Sequence, residues 1–388
     1  MKLFSAPLFF DGINPPLKDG AVLVDGGKIV DAGGISVLRD THPGAEEKHY
    51  EGSLLMPALV NCHAHLELTG IGEVAPGLPF AEWIAAVIGL KRAAASGQFI
   101  EAAVKGAREC RALGQGIVAD VVSVEGVEEA YPHDGAEVIP AREVICPSAG
   151  IAAAISRMLE GAKGGVFLHS PYTVCAEAFK EAALFARNAN LPIFTHLAES
   201  SDEVEFLLKG TGKIPKFVYG PLPVEPPKNP GAAPVEYLLD PDVLGGRFVA
   251  VHLVNISSDD VIRLARADVS SVLCPRSNRN LGVGKAPGRR ILDSGMATGL
   301  GTDSSLSGGD LDLWGDLVAA VEDYGWSVTE ALRAATSGGA AVLGVDGERG
   351  AFTPGLKADI ILRKLGPGWT DDERILSSKA SGGLLTIS

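Results

Sequence analysis

Eight short apolar runs of strand character recur along the middle of the chain, and nearly every one is followed at once by a polar or titratable residue. They are Leu59-Val60, Ile117-Val118-Ala119, Val144-Ile145, Val166-Phe167-Leu168, Ile193-Phe194-Thr195, Phe248-Val249-Ala250-Val251, Ser271-Val272-Leu273 and Thr298-Gly299-Leu300. Between them lie stretches such as Glu101 to Leu113 and Ala176 to Ala189, whose Ala and Leu content suits helices packed outside a barrel. This alternation predicts an α/β fold, a TIM-type (β/α)8 barrel, in which functional groups collect at the C-terminal ends of the strands. Glu203 to Pro234 loses periodicity after Leu208 and is rich in proline, so a loop excursion is expected after the fifth strand.

Both ends of the chain read differently. Ala21-Val22-Leu23-Val24, then Asp25-Gly26-Gly27-Lys28-Ile29-Val30, has the pattern of a β-hairpin. Near the other end, Gly350 to Asp359 leads into Ile360-Ile361-Leu362, and the two ends are expected to pair. The segments 1–55 and 345–388 are therefore read as a small β-sandwich domain, and 56–344 as the catalytic barrel.

Charge narrows the partners. With 34 Lys and Arg against 48 Asp and Glu, the formal net charge of -14 and the lack of a dense basic block exclude tracking of a phosphate backbone, so nucleic acid is not an expected partner. The five cysteines, Cys62, Cys110, Cys146, Cys175 and Cys274, are odd in number and contain no CxxC pair, which argues for a reducing cytoplasm rather than a disulfide framework. Met1 to Phe10 is too short and too interrupted for a signal peptide, and no membrane-spanning apolar run is found. A small-molecule substrate and, by default, a homodimer are the expected partners.

His63-Ala64-His65 closes the first barrel strand, and the two-residue period of a strand lets both imidazoles converge on one ion. A lone HxH carries little weight. His196 ends the fifth strand, His252 the sixth and Asp303 the eighth, so titratable groups from four strand ends would meet at one face. Taken singly, each histidine is more often structural, and Asp303 could be a cap. Glu199, three residues beyond His196, would lean over the open position as a proton shuttle, or else serve the start of a helix.

With LLMPALVNCHAHLE, HSPYT, THLAES, VHL, CPRSN, LGTDSS and the closing GxFxPGxxADI, the chain resembles the deaminase and chlorohydrolase branch of the amidohydrolase superfamily over essentially its whole length. The resemblance implies one divalent metal, zinc first with iron or manganese as alternatives, bound by His63, His65, His196 and Asp303. It further implies that Glu199 moves protons and that His252 orients or activates the water. Binuclear members carry a bridging carboxylated lysine at the end of the fourth strand, whereas His169 stands there and Lys163 precedes the strand, so one metal is expected. Water activated by the metal would attack a ring carbon bearing an amino group, Glu199 would protonate the adjacent ring nitrogen, and Asp303 or His252 would take a proton from the nucleophile.

For the substrate, His169-Ser170-Pro171-Tyr172 resembles the His-x-Pro-Tyr contact of nucleoside-type members, so His169 and Tyr172, along with Ser304 beside Asp303, are expected to touch it. Leu78 to Trp83 resembles the Phe-x-x-Trp loop of adenosylhomocysteine and methylthioadenosine deaminases and nominates Trp83. Those enzymes go on to a ribose-holding Pro-x-Glu, where this chain reads Gly89-Leu90-Lys91. Arg276 could bind a carboxylate as a fork or form a salt bridge. Together with Glu67, it makes the pattern most similar to aminodeoxyfutalosine deaminases of menaquinone biosynthesis, whose substrate joins a 6-aminopurine nucleoside to a benzoate. A chlorohydrolase or other cyclic amidine or amide hydrolase using the same water, of guanine, cytosine or triazine type, is the rival enzyme reading. A non-catalytic scaffold of the same fold is the rival of another class.

Overall fold

The computed structural model of the chain describes residues 1–240, 243, 244 and 246–385. Eight parallel strands follow one another in space in the same order as in sequence: Leu59–Ala64, Gln115–Val122, Glu137–Val144, Gly165–Leu168, Ile193–Leu197, Phe248–His252, Ser270–Leu273 and Thr298–Leu300. The cylinder is nearly closed. The eighth strand meets the first through the parallel bridge Ala64 to Asp303, where Asp303 N–H donates to His63 O at 3.1 Å. Buried Asn61 ties the same seam, donating through Nδ2 to Thr302 Oγ1 at 2.8 Å and Gln115 Oε1 at 3.0 Å while its Oδ1 accepts from Thr302 N–H at 3.2 Å.

Alternation along each strand separates the barrel interior from the helix-facing side. Ile117, Ala119 and Val121 from the second strand pack inside with Phe167 of the fourth, Phe194 of the fifth and Val249 and Val251 of the sixth. Outside, Ala176–Ala189 lays Ala178, Phe179, Ala182, Ala183 and Ala186 against the barrel, a stripe at helical spacing, and ends on Asn190 in the left-handed conformation at φ 53°.

The two chain ends build one mixed sheet, in the order Lys379–Leu384, Ile360–Lys364, Ser53–Pro57, Lys2–Phe9, Leu17–Asp25 and Lys28–Gly34, with Glu46–His49 also paired to Lys2–Phe9. The expected hairpin turns at Gly26 and Gly27, and Ile360–Lys364 runs antiparallel to Ser53–Pro57 as the pairing of the ends required. All five cysteines are buried and unbridged. Among the described residues no helix is long and apolar enough to cross a membrane.

Two expectations need correction. The third strand is not Val144-Ile145 but Glu137–Val144; Pro140, Arg142 and the flanking glutamates disguise it, and Ile145 lies outside. The segment after the fifth strand is less irregular than its prolines suggest, because it is helical over Ser201–Lys209 and wound in a wide turn over Ile214–Tyr219. Phe206, Leu207, Val218 and Tyr219 then find apolar partners in Phe80 and Tyr172. That burial outweighs weak local periodicity.

Candidate active site

Five of the eight histidines gather at the C-terminal mouth of the barrel. The first strand delivers two of them through a bulge: Asn61 pairs with Val118 and Ala64 with Asp120, so three residues span what two span on its neighbour. Such an insertion re-aims side chains locally, and here it contains His63 and precedes His65. Gly301 lets the eighth strand approach, since a Cβ there would lie 2.8 Å from His63 Cβ and 3.0 Å from His63 O. Phe167 makes the floor, stacked on His63 at 5.5 Å and edge-on to His196 at 4.7 Å.

Asp303 Oδ1 lies 3.5 Å from His63 Nε2 and 3.4 Å from His65 Nε2, and His63 Nε2 lies 3.3 Å from His196 Nε2. Donors each about 2.1 Å from one cation at a tetrahedral angle stand roughly 3.4 Å apart, so these spacings fit a shared divalent ion. Ligand atoms of His63, His65 and Asp303 fall within 4.8 Å of one another, as do those of His63, His196 and His252, and of Glu199, His252 and Asp303. Among the described residues, buried His252 Nε2 has no hydrogen-bond partner. Its Nδ1 faces Asn278 Oδ1 at 2.9 Å, which makes Nδ1 the donor and leaves Nε2 with a free lone pair.

Electrostatics agrees with that donor set. Burial, then repulsion by neighbouring imidazoles, keeps His65 and His196 well below the usual imidazole range, and burial brings His252 down to about 4. These rings are neutral near pH 7, the form that ligates metals. Burial pushes the Asp303 carboxyl up, but His63, His65 and His252 outweigh it and hold the group well below the ordinary range. Its second oxygen accepts from Ser277 Oγ at 2.7 Å and Ser307 Oγ at 2.8 Å, which fixes the orientation of the first.

Glu199 stands with Oε1 3.6 Å from His252 Nε2. Burial, then Asp303 and Glu203, raises its carboxyl well above the usual value. Ala198, just before it, sits at φ 52°, and His252, Leu253 and Asp303 are also at positive φ, so four of the seven such non-glycine residues described occur at these strand ends. Backbone of this kind costs on the order of 1–3 kcal/mol per residue and persists where surroundings enforce it. Glu203, not foreseen in the sequence, is the enforcer at Ala198: its carboxylate accepts from Ala198 N–H at 3.0 Å and Glu199 N–H at 2.9 Å.

A cavity of about 410 Å³ opens over this cluster. Trp83, Ile84, Val87, Ile88 and Lys91, one stripe of helix Phe80–Ala93, form a wall, and His169, Tyr172 and Ser304 also line it. His169 Nδ1 is held by Thr173 Oγ1 at 2.8 Å, and Tyr172 O accepts from Tyr219 at 2.9 Å. Two expected contacts do not reach the cavity. Arg276, carried sideways by the helix Pro275–Asn280, donates to Asp316 Oδ2 at 2.9 Å and Asp310 Oδ1 at 2.7 Å, so its fork makes the salt bridge and a substrate contact is corrected. Buried Glu67 stands behind Lys91, whose Nζ it accepts at 3.0 Å, so its direct contact is corrected to a positioning one. Conversely, Lys91 and Glu143 line the cavity unforeseen. Glu143 was findable two residues after Ala141, in phase with the interior, had the third strand been read correctly.

A family model described as "Amidohydrolase family" matches residues 54–382, most of the chain. This chain belongs to the amidohydrolase family. Among relatives of this amidohydrolase, an aminodeoxyfutalosine deaminase from Deinococcus radiodurans is 30% identical, covering 88% of this chain and 86% of its own length. A 5-methylthioadenosine/S-adenosylhomocysteine deaminase from Symbiobacterium thermophilum is likewise 30% identical, covering 89% and 80%. Among solved structures, Helicobacter pylori aminofutalosine deaminase in complex with methylthio-coformycin matches with a TM-score of 0.79 at 19% identity, over 98% of this chain and 97% of that one. Atrazine chlorohydrolase from Arthrobacter aurescens, complexed with zinc, gives 0.79 at 21%, over 99% and 93%. The fold is that of these enzymes, and the amidohydrolase is a hydrolase of C–N bonds outside peptides.

Proposed function

We propose that this amidohydrolase is a hydrolytic deaminase of a 6-aminopurine nucleoside and that His63, His65, His196 and Asp303 hold one zinc ion. The observation that carries the reading is the convergence of imidazoles and one deprotonated carboxylate at the base of a cavity, with a protonatable Glu199 beside them. A divalent cation, when bound, acidifies a coordinated water toward neutrality. Displacing ammonia requires one proton to reach the ring nitrogen next to the attacked carbon and another to pass from the nucleophile to the departing amino group. Glu199, whose burial keeps the proton on the carboxyl to higher pH, serves the first transfer; Asp303 or the free Nε2 of His252 serves the second. His169 and Tyr172 orient the base, Trp83 offers a face to stack on, and Ser304 lies beside Asp303.

Within this class the preferred substrate is 6-amino-6-deoxyfutalosine. The Deinococcus relative carries that activity in its name, and the apolar wall of Ile84, Val87, Ile88, Leu222 and Val224 suits an aromatic substituent beyond the sugar. Arg92, at the end of the same helix, lines the cavity without an ion-pair partner among the described residues and can meet a benzoate carboxylate. Ammonia release from aminodeoxyfutalosine, adenosine, adenosylhomocysteine, methylthioadenosine, guanine and cytosine, with metal assayed on the same sample, tests both levels. Aminodeoxyfutalosine is expected to give the highest kcat/KM. Preference for methylthioadenosine would overturn the substrate, and inactivity on every aminopurine nucleoside would overturn the class.

A further inference from the structure

We infer that Glu143 and Lys91 form a subsite for a neutral vicinal diol in the wall of the cavity. Glu143 is the last inward residue of the third strand: Ile139 and Ala141 pack in the barrel interior, and the next residue in that phase faces the cavity. Its side chain is only 5% exposed, yet no hydrogen bond reaches its carboxylate among the described residues, and its nearest cation, Lys91 Nζ, is 3.9 Å from Oε2. Buried carboxylates without donors are costly. Glu143 lines the ligand cavity, so its two acceptor oxygens call for donors from the ligand.

Lys91 defines what kind of ligand. Its ammonium has three N–H donors; one goes to Glu67 Oε1 at 3.0 Å and one to Ser123 Oγ at 2.7 Å, and the third remains for the cavity. Glu67 is itself fixed by Ser123 N–H at 3.0 Å, so the lysine is anchored from behind. Two carboxylates against one ammonium leave a net negative group. An anionic ligand group is repelled by Glu143, and a cationic one competes with Lys91. Hydroxyls satisfy both, because each donates to a carboxylate oxygen and one of them also accepts the remaining ammonium proton. Two adjacent hydroxyls match the two oxygens of one carboxylate. Resting on the nucleoside reading above, the diol is the 2′,3′-diol of the sugar.

The test compares kcat/KM of the zinc-loaded enzyme for aminodeoxyfutalosine, adenosine and 5′-methylthioadenosine with that for their 2′,3′-dideoxy counterparts, in the native protein, E143Q and E143A. Metal content and unfolding temperature are recorded for each. The native enzyme is expected to prefer the diol by about tenfold or more, the scale of hydrogen bonds to a charged group. In the variants this preference collapses toward one. Equal efficiency on both compounds in the native enzyme overturns the inference while leaving the deaminase reading intact. Variants that lose activity but keep the native preference also overturn it, since that pattern marks a structural role. Should one variant not fold, the other and the native comparison still decide. Inactivity of the native enzyme on all six compounds overturns the nucleoside reading and the inference with it.

Discussion

Glu199 and Glu203 lie four positions apart, and their environments assign them different work. Glu199 faces His252, whereas both oxygens of Glu203 accept backbone N–H groups and hold the turn that carries Glu199. Glu199→Gln is expected to retain metal and lose at least about 100-fold in kcat, the range for a lost proton-transfer group; full turnover with normal metal content would remove that role. Glu203 offers a pH test. Burial raises its carboxyl from 4.5 to about 7, against the opposing backbone donors. Below 4.5 the group is protonated in both states, and between 4.5 and about 7 the unfolded chain releases its proton first, so rising pH favours unfolding through this group. Relative to Glu203→Gln, the native protein should therefore lose stability across that window, measured by urea denaturation at successive pH values. A flat difference would show that the carboxyl titrates normally. That His63, His65, His196, His252 and Asp303 would meet at one mouth was legible from their places at the ends of apolar runs, and the position of Glu199 from its lying three residues beyond His196. Glu203 was not, because its task depends on a backbone conformation that no local pattern announces.

At the scale of elements, seven of the barrel strands could be recognised by apolar runs because both faces of those strands are buried. The third, Glu137–Val144, was all but hidden: Arg142 is occupied with Glu128 at 2.8 Å, and Glu143 faces the cavity, so polar residues stand where a buried strand would carry apolar ones. The direction of Arg276 was also illegible, since it depends on Asp316, 40 residues away, being buried at the right place. The seam between first and eighth strands is the element on which ligand geometry rests. Asn61→Leu should cost about 1–3 kcal/mol per polar partner left buried, with lower metal affinity as the seam loosens. Chemical denaturation with parallel metal titration checks this; unchanged stability would mean that the seam is held by packing alone. Gly301→Ala is expected to impair metal binding as well as stability, because the added methyl meets His63 Cβ at 2.8 Å and the buried Cys274 Sγ at 3.1 Å.

On the scale of the whole molecule, the terminal sheet feeds directly into the barrel. Ser53–Pro57 belongs to the sheet and Leu59 opens the first barrel strand, while Ala58 N–H donates to Asp359 O at 2.9 Å across the junction. Arg363 adds a second tie, its guanidinium 3.7 Å over the Trp314 ring and its Nε donating to Ser378 Oγ at 3.0 Å. We propose that segments 1–55 and 345–388 form a small domain that unfolds together with the barrel 56–344. Calorimetry should give one transition, and two separated transitions would refute it. Pairing of the chain ends was visible in their turn-rich patterns, but the ties at Ala58 and Arg363 were not. The most direct test of the central claim is metal stoichiometry and ammonia release followed on one sample as a chelator removes the ion and zinc restores it. One zinc per chain, with deamination of an aminopurine nucleoside lost and regained in proportion, is the expected result. Full deamination by metal-free protein, or by His63→Ala that binds no metal, would contradict it.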